Sequence, residues 1–155
     1  MTEVIRLRRH LAALDAVDTH WPSGFRPAPL SAVEPAALHL LLDSSYRNGF
    51  GAVPPFAQWW LAVTADAEFD PDLVFIALAD TGALAGMALC WSSAFIKDLA
   101  VAEDHRGKGV GAALLRSAFA AFQRHGASHV DLKVMAGNAA ALRLYQSLGM
   151  TEVPL

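Results

Sequence analysis

Residues 104–115, DHRGKGVGAALL, set three glycines at alternate positions and then run straight into aliphatic residues at helical spacing. No other stretch constrains the fold as tightly. The apolar run AFIKDLAV at 94–101 precedes it and reads as a strand. The chain must therefore hand a strand over to a helix through a turn whose backbone is bare. The first turn of a helix carries unpaired N–H groups and the positive end of the macrodipole, which together attract an anion. With no Cβ in the way, phosphate oxygens can come almost against the main chain.

Three phosphate-loop patterns compete for this segment. A nucleoside-triphosphatase loop needs Ser or Thr after its lysine, and Lys108 is followed by Gly109. A dinucleotide fingerprint needs Gly-x-Gly-x-x-Gly, whereas Gly107, Gly109 and Gly111 alternate. What remains is Arg-x-x-Gly-x-Gly, formed by Arg106, Gly109 and Gly111, against the plain alternative of a tight strand-to-helix turn.

The rest of the chain predicts a mixed α/β domain. Alternation over 4–9 suits a short strand or a first helical turn, and HWPSGFRPAP at 20–29 is a loop leading to a strand near 25–30. Ser31 and Glu34 stand at capping-box spacing ahead of a helix over 33–46, and FAQWWLAVTAD forms a second helix. DLVFIALAD and ALAGMALCWS, joined through Asp80-Thr81-Gly82, read as a hairpin. Val110, Leu114, Leu115, Ala118, Phe119 and Phe122 keep helical period until Gly126, and HVDLKV at 129–134 is a fourth short strand. Asn138 then caps a helix whose Leu142, Tyr145 and Leu148 share a face, stopped by Gly149.

The 155 residues predict one domain, with residues 1–23 as an N-terminal extension. A formal net charge of −3 with scattered basic residues argues against nucleic acid as a partner. No apolar run is long enough for a membrane span and no signal segment is legible, so the expected location is cytoplasmic. The single Cys90 forms no internal disulfide and suits an apolar strand, while the histidines assemble no metal site.

Two stretches then act together. FIKDLAVAEDHRGKGVGAALL and HVDLKVMAGNAAALRLYQSLGM resemble the acetyl-CoA site of the GNAT N-acetyltransferase superfamily. The resemblance rests on the Arg-x-x-Gly-x-Gly loop and on Asn138 followed by Ala141 and Tyr145-x-x-x-Gly149. It is strong over 73–150, the acetyl-CoA-binding core, and weaker over 24–66. It implies the GNAT acyl-CoA N-acyltransferase fold and acetyl transfer to a primary amine of a small molecule, by direct transfer and without a metal.

Residue by residue, the resemblance implies that the CoA pyrophosphate meets the amides around Arg106, Gly107, Lys108, Gly109, Val110, Gly111 and Ala112. Leu99, Ala100 and Val101 hold the pantetheine arm through main-chain groups, and Asn138 contacts that arm or simply caps its helix. Tyr145 stands near the sulfur, where a phenol can donate a hydrogen bond or a proton to the departing thiolate. Asp98 is the candidate on the acceptor side, because KDLAV is similar to a strand of small-amine acetyltransferases. Lys97 and Lys133 stand where relatives carry acids, which disfavours polycationic acceptors. Asp131 is an alternative carboxylate, and a water chain could serve instead of a dedicated base. Trp59, Trp60, Tyr46 and Phe50 belong either to the core or to the acceptor wall. Glu103 and His105 read as solvated turn residues.

Family members continue further after the Tyr-x-x-x-Gly segment, so a shortened C-terminal strand pair is expected. Either residues Val4 to Arg9 or a second copy, in a homodimer, would cover the open sheet edge. Two rival functions stay open: an acyl-CoA-binding sensor without turnover, and acetylation of a protein N-terminus or lysine.

Overall fold

The computed structural model describes residues 3–12, 16–47 and 51–155. Strand β1 (Val4–His10) opens the chain, followed by β2 (Phe25–Ala28), α1 (Pro35–Tyr46) and α2 (Phe56–Ala65). Then come β3 (Phe69–Ala79), β4 (Leu84–Trp91), β5 (Phe95–Val101), α3 (Val110–Arg124), β6 (His129–Met135), α4 (Ala139–Ser147) and β7 (Thr151–Val153). Among the described residues no helix is long and apolar enough to cross a membrane.

The strands form one seven-stranded sheet in the order β2-β3-β4-β5-β6-β1-β7. All neighbouring pairs are antiparallel except β5 and β6, which run parallel. Alternation along β3 divides the core in two. Val74, Ile76 and Leu78 join Leu38, Leu42 and Trp59 of α1 and α2 on one face. Leu73 and Ala77 join Leu114, Phe119 and Phe122 of α3 on the other, with Tyr145 of α4. The side-chain period of two along a strand is what lets one apolar run serve both layers.

The capping box does not form. Ser31 lies in a single 3-10 turn, Leu30–Ala32, and Glu34 is itself the N-cap, without a side-chain hydrogen bond. Pro35 explains this: its ring fixes the first helical position and holds Glu34 extended, at φ −76° and ψ 134°. At the other end of the sheet, β1 lies between β6 and β7, with Leu7 opposite both Leu132 and Glu152. The chain's own N-terminal segment thus covers the edge of β6, and the finish after α4 is a three-residue strand.

The β5/β6 junction positions the site. These strands pair only at Phe95↔Asp131 and Ile96↔Leu132, and diverge beyond. Just past the junction, β5 carries a bulge: Leu89 of β4 faces Asp98 and the next residue, Cys90, faces Ile96, leaving Lys97 as the extra residue. A bulge re-aims the side chains around it.

Candidate active site

Three adjoining cavities follow the opening between the strands. The first, about 420 Å³, lies between the glycine turn and α4 and is lined by Arg106, Gly107, Gly109, Gly111, Ala141 and Leu144, among others. The middle one, about 320 Å³, is floored by Leu99, Ala100 and Val101 and shares Arg106 and Ala140 with the first. The third, about 190 Å³, fills the fork of the strands and shares Tyr46, Leu99 and Asn138 with the second. Together they make one groove from the loop to the sheet interior.

At the loop end, Gly109 is the N-cap of α3, with φ +87° and no side-chain cap. The helical ladder starts with Ala113 N–H donating to Gly109 O, so the preceding amides have no partner inside the helix. Any residue with a Cβ would be strained at that φ. Gly111 is placed for a different reason: a Cβ there would meet Leu144 Cδ2 at 3.1 Å, so its absence lets α4 pack close on α3. Val110 is 1% exposed and offers only its backbone. Lys108 is exposed and is not among the residues lining the cavity. Arg106 bends back, its Nε donating to Val101 O at 3.3 Å. Uncapped amides, a concave apolar wall and a missing Cβ fit a diphosphate.

At the fork, Asn138 caps α4, its Oδ1 accepting from Ala141 N–H at 3.3 Å, while it also lines the groove. Tyr145 lines the fork and is buried there. Burial first, and then the negative charge of Asp98, push its phenol up to about 12. Asp98 is 5% exposed; its Oδ1 accepts from the Tyr46 hydroxyl and its Oδ2 from Lys97 Nζ at 2.9 Å. The Tyr46 phenol is also pushed up, by burial and then by Asp98. Both phenols therefore stay protonated, and that of Tyr46 donates to Asp98.

The structure places the remaining candidates of the sequence. Asp131 lines none of the three cavities; its oxygens accept from Arg6 Nε at 2.6 Å and from Arg8 Nε and Nη2 at 2.7 and 2.9 Å. Burial alone would raise this carboxyl, but the bonds from Arg8 and Arg6 hold it below the ordinary carboxylate range. Trp59 packs in the core and Trp60 stands edge-on to Phe69, and neither lines these three cavities. His105 is only half-buried and joins the wall of the loop cavity. Cys90 is fully buried and its thiol is pushed up by that burial. Phe50 lies outside the described residues. The role of Tyr46 as a partner of Asp98 had no local signal in the sequence.

Residues 36–150 match the family described as Acetyltransferase (GNAT) family. The chain belongs to the GNAT acetyltransferase family. Within that family it is 38% identical over 90 residues to streptothricin acetyltransferase of Streptomyces lavendulae, covering 55% of this chain and 48% of that protein. It is 33% identical over 81 residues to the ribosomal protein bS18-alanine N-acetyltransferase of Escherichia coli, covering 50% and 55%. This GNAT chain thus spans about half the length of the curated relatives it matches. Among solved structures it resembles a GCN5-related N-acetyltransferase from Sphaerobacter thermophilus, with a TM-score of 0.75 and 25% identity over 98% of this chain and 49% of that one.

Proposed function

We propose that this chain is a single acetyltransferase unit that moves the acetyl group of acetyl-CoA to a primary amine of a small molecule by direct transfer. The observation that carries the reading is the continuous groove from the uncapped N-terminus of α3 to the buried phenol of Tyr145. Acetyl-CoA supplies the activated acetyl group as a thioester.

The amides of Val110, Gly111 and Ala112 hold the pyrophosphate, with the loop backbone from Arg106 to Gly109 around it. Leu99, Ala100 and Val101 bind the arm along the free edge of β5. Asn138 steers the arm into the fork. Asp98 receives the acceptor and accepts the proton that the amine loses as its nitrogen bonds to the acetyl carbon; that proton then leaves to solvent. Tyr145 donates a hydrogen bond to the sulfur as the carbon–sulfur bond breaks, and the departing thiolate takes its proton from water. Direct attack suits this site because the thiol of Cys90, the one cysteine of the sequence, is buried and un-ionised, which leaves no thiolate to carry an acetyl intermediate.

A protein N-terminus is the second acceptor class, favoured by the 33% identity to the bS18-alanine acetyltransferase. Thiol release from acetyl-CoA with a panel of small amines and alanine-initiated peptides tests both. Amine-dependent release with a matching N-acetyl product is the expected result. Acetyl-CoA binding without release from any acceptor would instead favour a sensor.

A further inference from the structure

We propose that the acceptor taken by this site is an amine that also carries a carboxylate, held through that carboxylate by Lys133 and Lys97. The inference rests on the acetyl-transfer reading for the role of the fork, and it names the acceptor class.

The fork is positive, although the chain as a whole has a formal net charge of −3. Lys97 and Lys133 line it from opposite strands, one on β5 and one on β6. Among the described residues the one carboxylate lining it is Asp98, whose charge Lys97 balances, which leaves the charge of Lys133 in excess. Asp131, beside the fork, is outnumbered by Arg6 and Arg8. The bulge at Lys97 matters here. It lets two successive residues, Lys97 and Asp98, both face the opening, where an unbroken strand would send them to opposite sides.

Lys133 is the informative group. It is exposed at the mouth of the fork, and among the described residues no side chain pairs with it. The coenzyme does not account for it, since its phosphates belong at the glycine turn and the thioester end that reaches the fork is uncharged. An ammonium-bearing acceptor would therefore meet Asp98 with its amine and Lys133 with an anion. A diamine would bring a second cation against two lysines.

The test separates binding from turnover. With CoA present, titrate L-alanine, β-alanine and 4-aminobutanoate against their carboxamides and 1,4-diaminobutane, by calorimetry. At least one acid is expected to bind about 10-fold more tightly than its amide, as for one charge-assisted contact. Lys133→Gln and Lys133→Ala should each erase that preference, and acetyl-CoA affinity, read at the other end of the groove, reports that they fold. The inference is overturned if every amide binds as well as its acid, if neither binds, or if the diamine binds best. Selective binding of an acid without thiol release leaves this inference standing and removes the acetyl-transfer reading.

Discussion

The phenol of Tyr46, the last residue of α1, donates a hydrogen bond to Oδ1 of Asp98 on β5, across 52 positions of sequence. Lys97 takes the other oxygen at 2.9 Å, so the carboxylate is fixed from both sides at the floor of the fork. A single bond thus ties the first helix to the chemistry.

Tyr46→Phe should therefore lower kcat/KM by about 10-fold, as expected for loss of a hydrogen bond to a charged group. Steady-state kinetics with the best acceptor from the panel would read it, with circular dichroism confirming the fold. Wild-type kinetics in this variant would mark the contact as structural alone.

Tyr145→Phe should cut kcat by about 100-fold with a small effect on acetyl-CoA binding. Because burial and Asp98 push this phenol up to about 12, the wild-type pH–rate profile should rise as the amine deprotonates and show no alkaline fall below that range. A falling limb near the ordinary tyrosine value, about 10, would contradict the assignment.

The same shift bears on stability. A folded value raised above the unfolded one means the contribution is complete below pH about 10 and is lost as pH rises towards 12, with Tyr46 moving in the same direction. Thermal melts from pH 8 upwards should show Tm falling through that window, and falling less in Tyr145→Phe.

Asp131 gives the acid counterpart. Its carboxyl is held low, so its contribution is present above the ordinary value near 4 and is lost as pH falls through its lower folded value. Asp131→Asn strips a charged partner from Arg6 and Arg8, whose side chains are 28% exposed, and should lower the urea unfolding midpoint without changing the slope.

Gly109→Ala forces a Cβ onto a residue at φ +87°, at a cost of about 1–2 kcal/mol. The strain falls on the amides proposed to hold the pyrophosphate. Acetyl-CoA affinity by calorimetry should drop by about 10-fold, more than the modest loss of Tm alone would suggest.

What was legible in the sequence was local. Helical period and the glycine stops marked α3 and α4, and the bare loop between β5 and α3 marked the uncapped start of α3. The capping-box expectation failed because Pro35 overrode it. The bulge at Lys97 left no trace, since a one-residue slip in register changes pairing without changing composition. Tyr46 could not be connected to Asp98, nor Asp131 to Arg6 and Arg8, because those pairs exist only once distant segments meet.

The placement of β1 has a temporal side. Val4 pairs with Met135, so the first strand leaves the ribosome well over a hundred residues before its partner exists. At roughly 5–20 residues per second, that wait is on the order of ten seconds. Throughout it, a short basic strand (Arg6, Arg8 and Arg9) has no ladder to join. Charge is a common guard against stray strand pairing, and two of these three arginines find their partner only when Asp131 arrives.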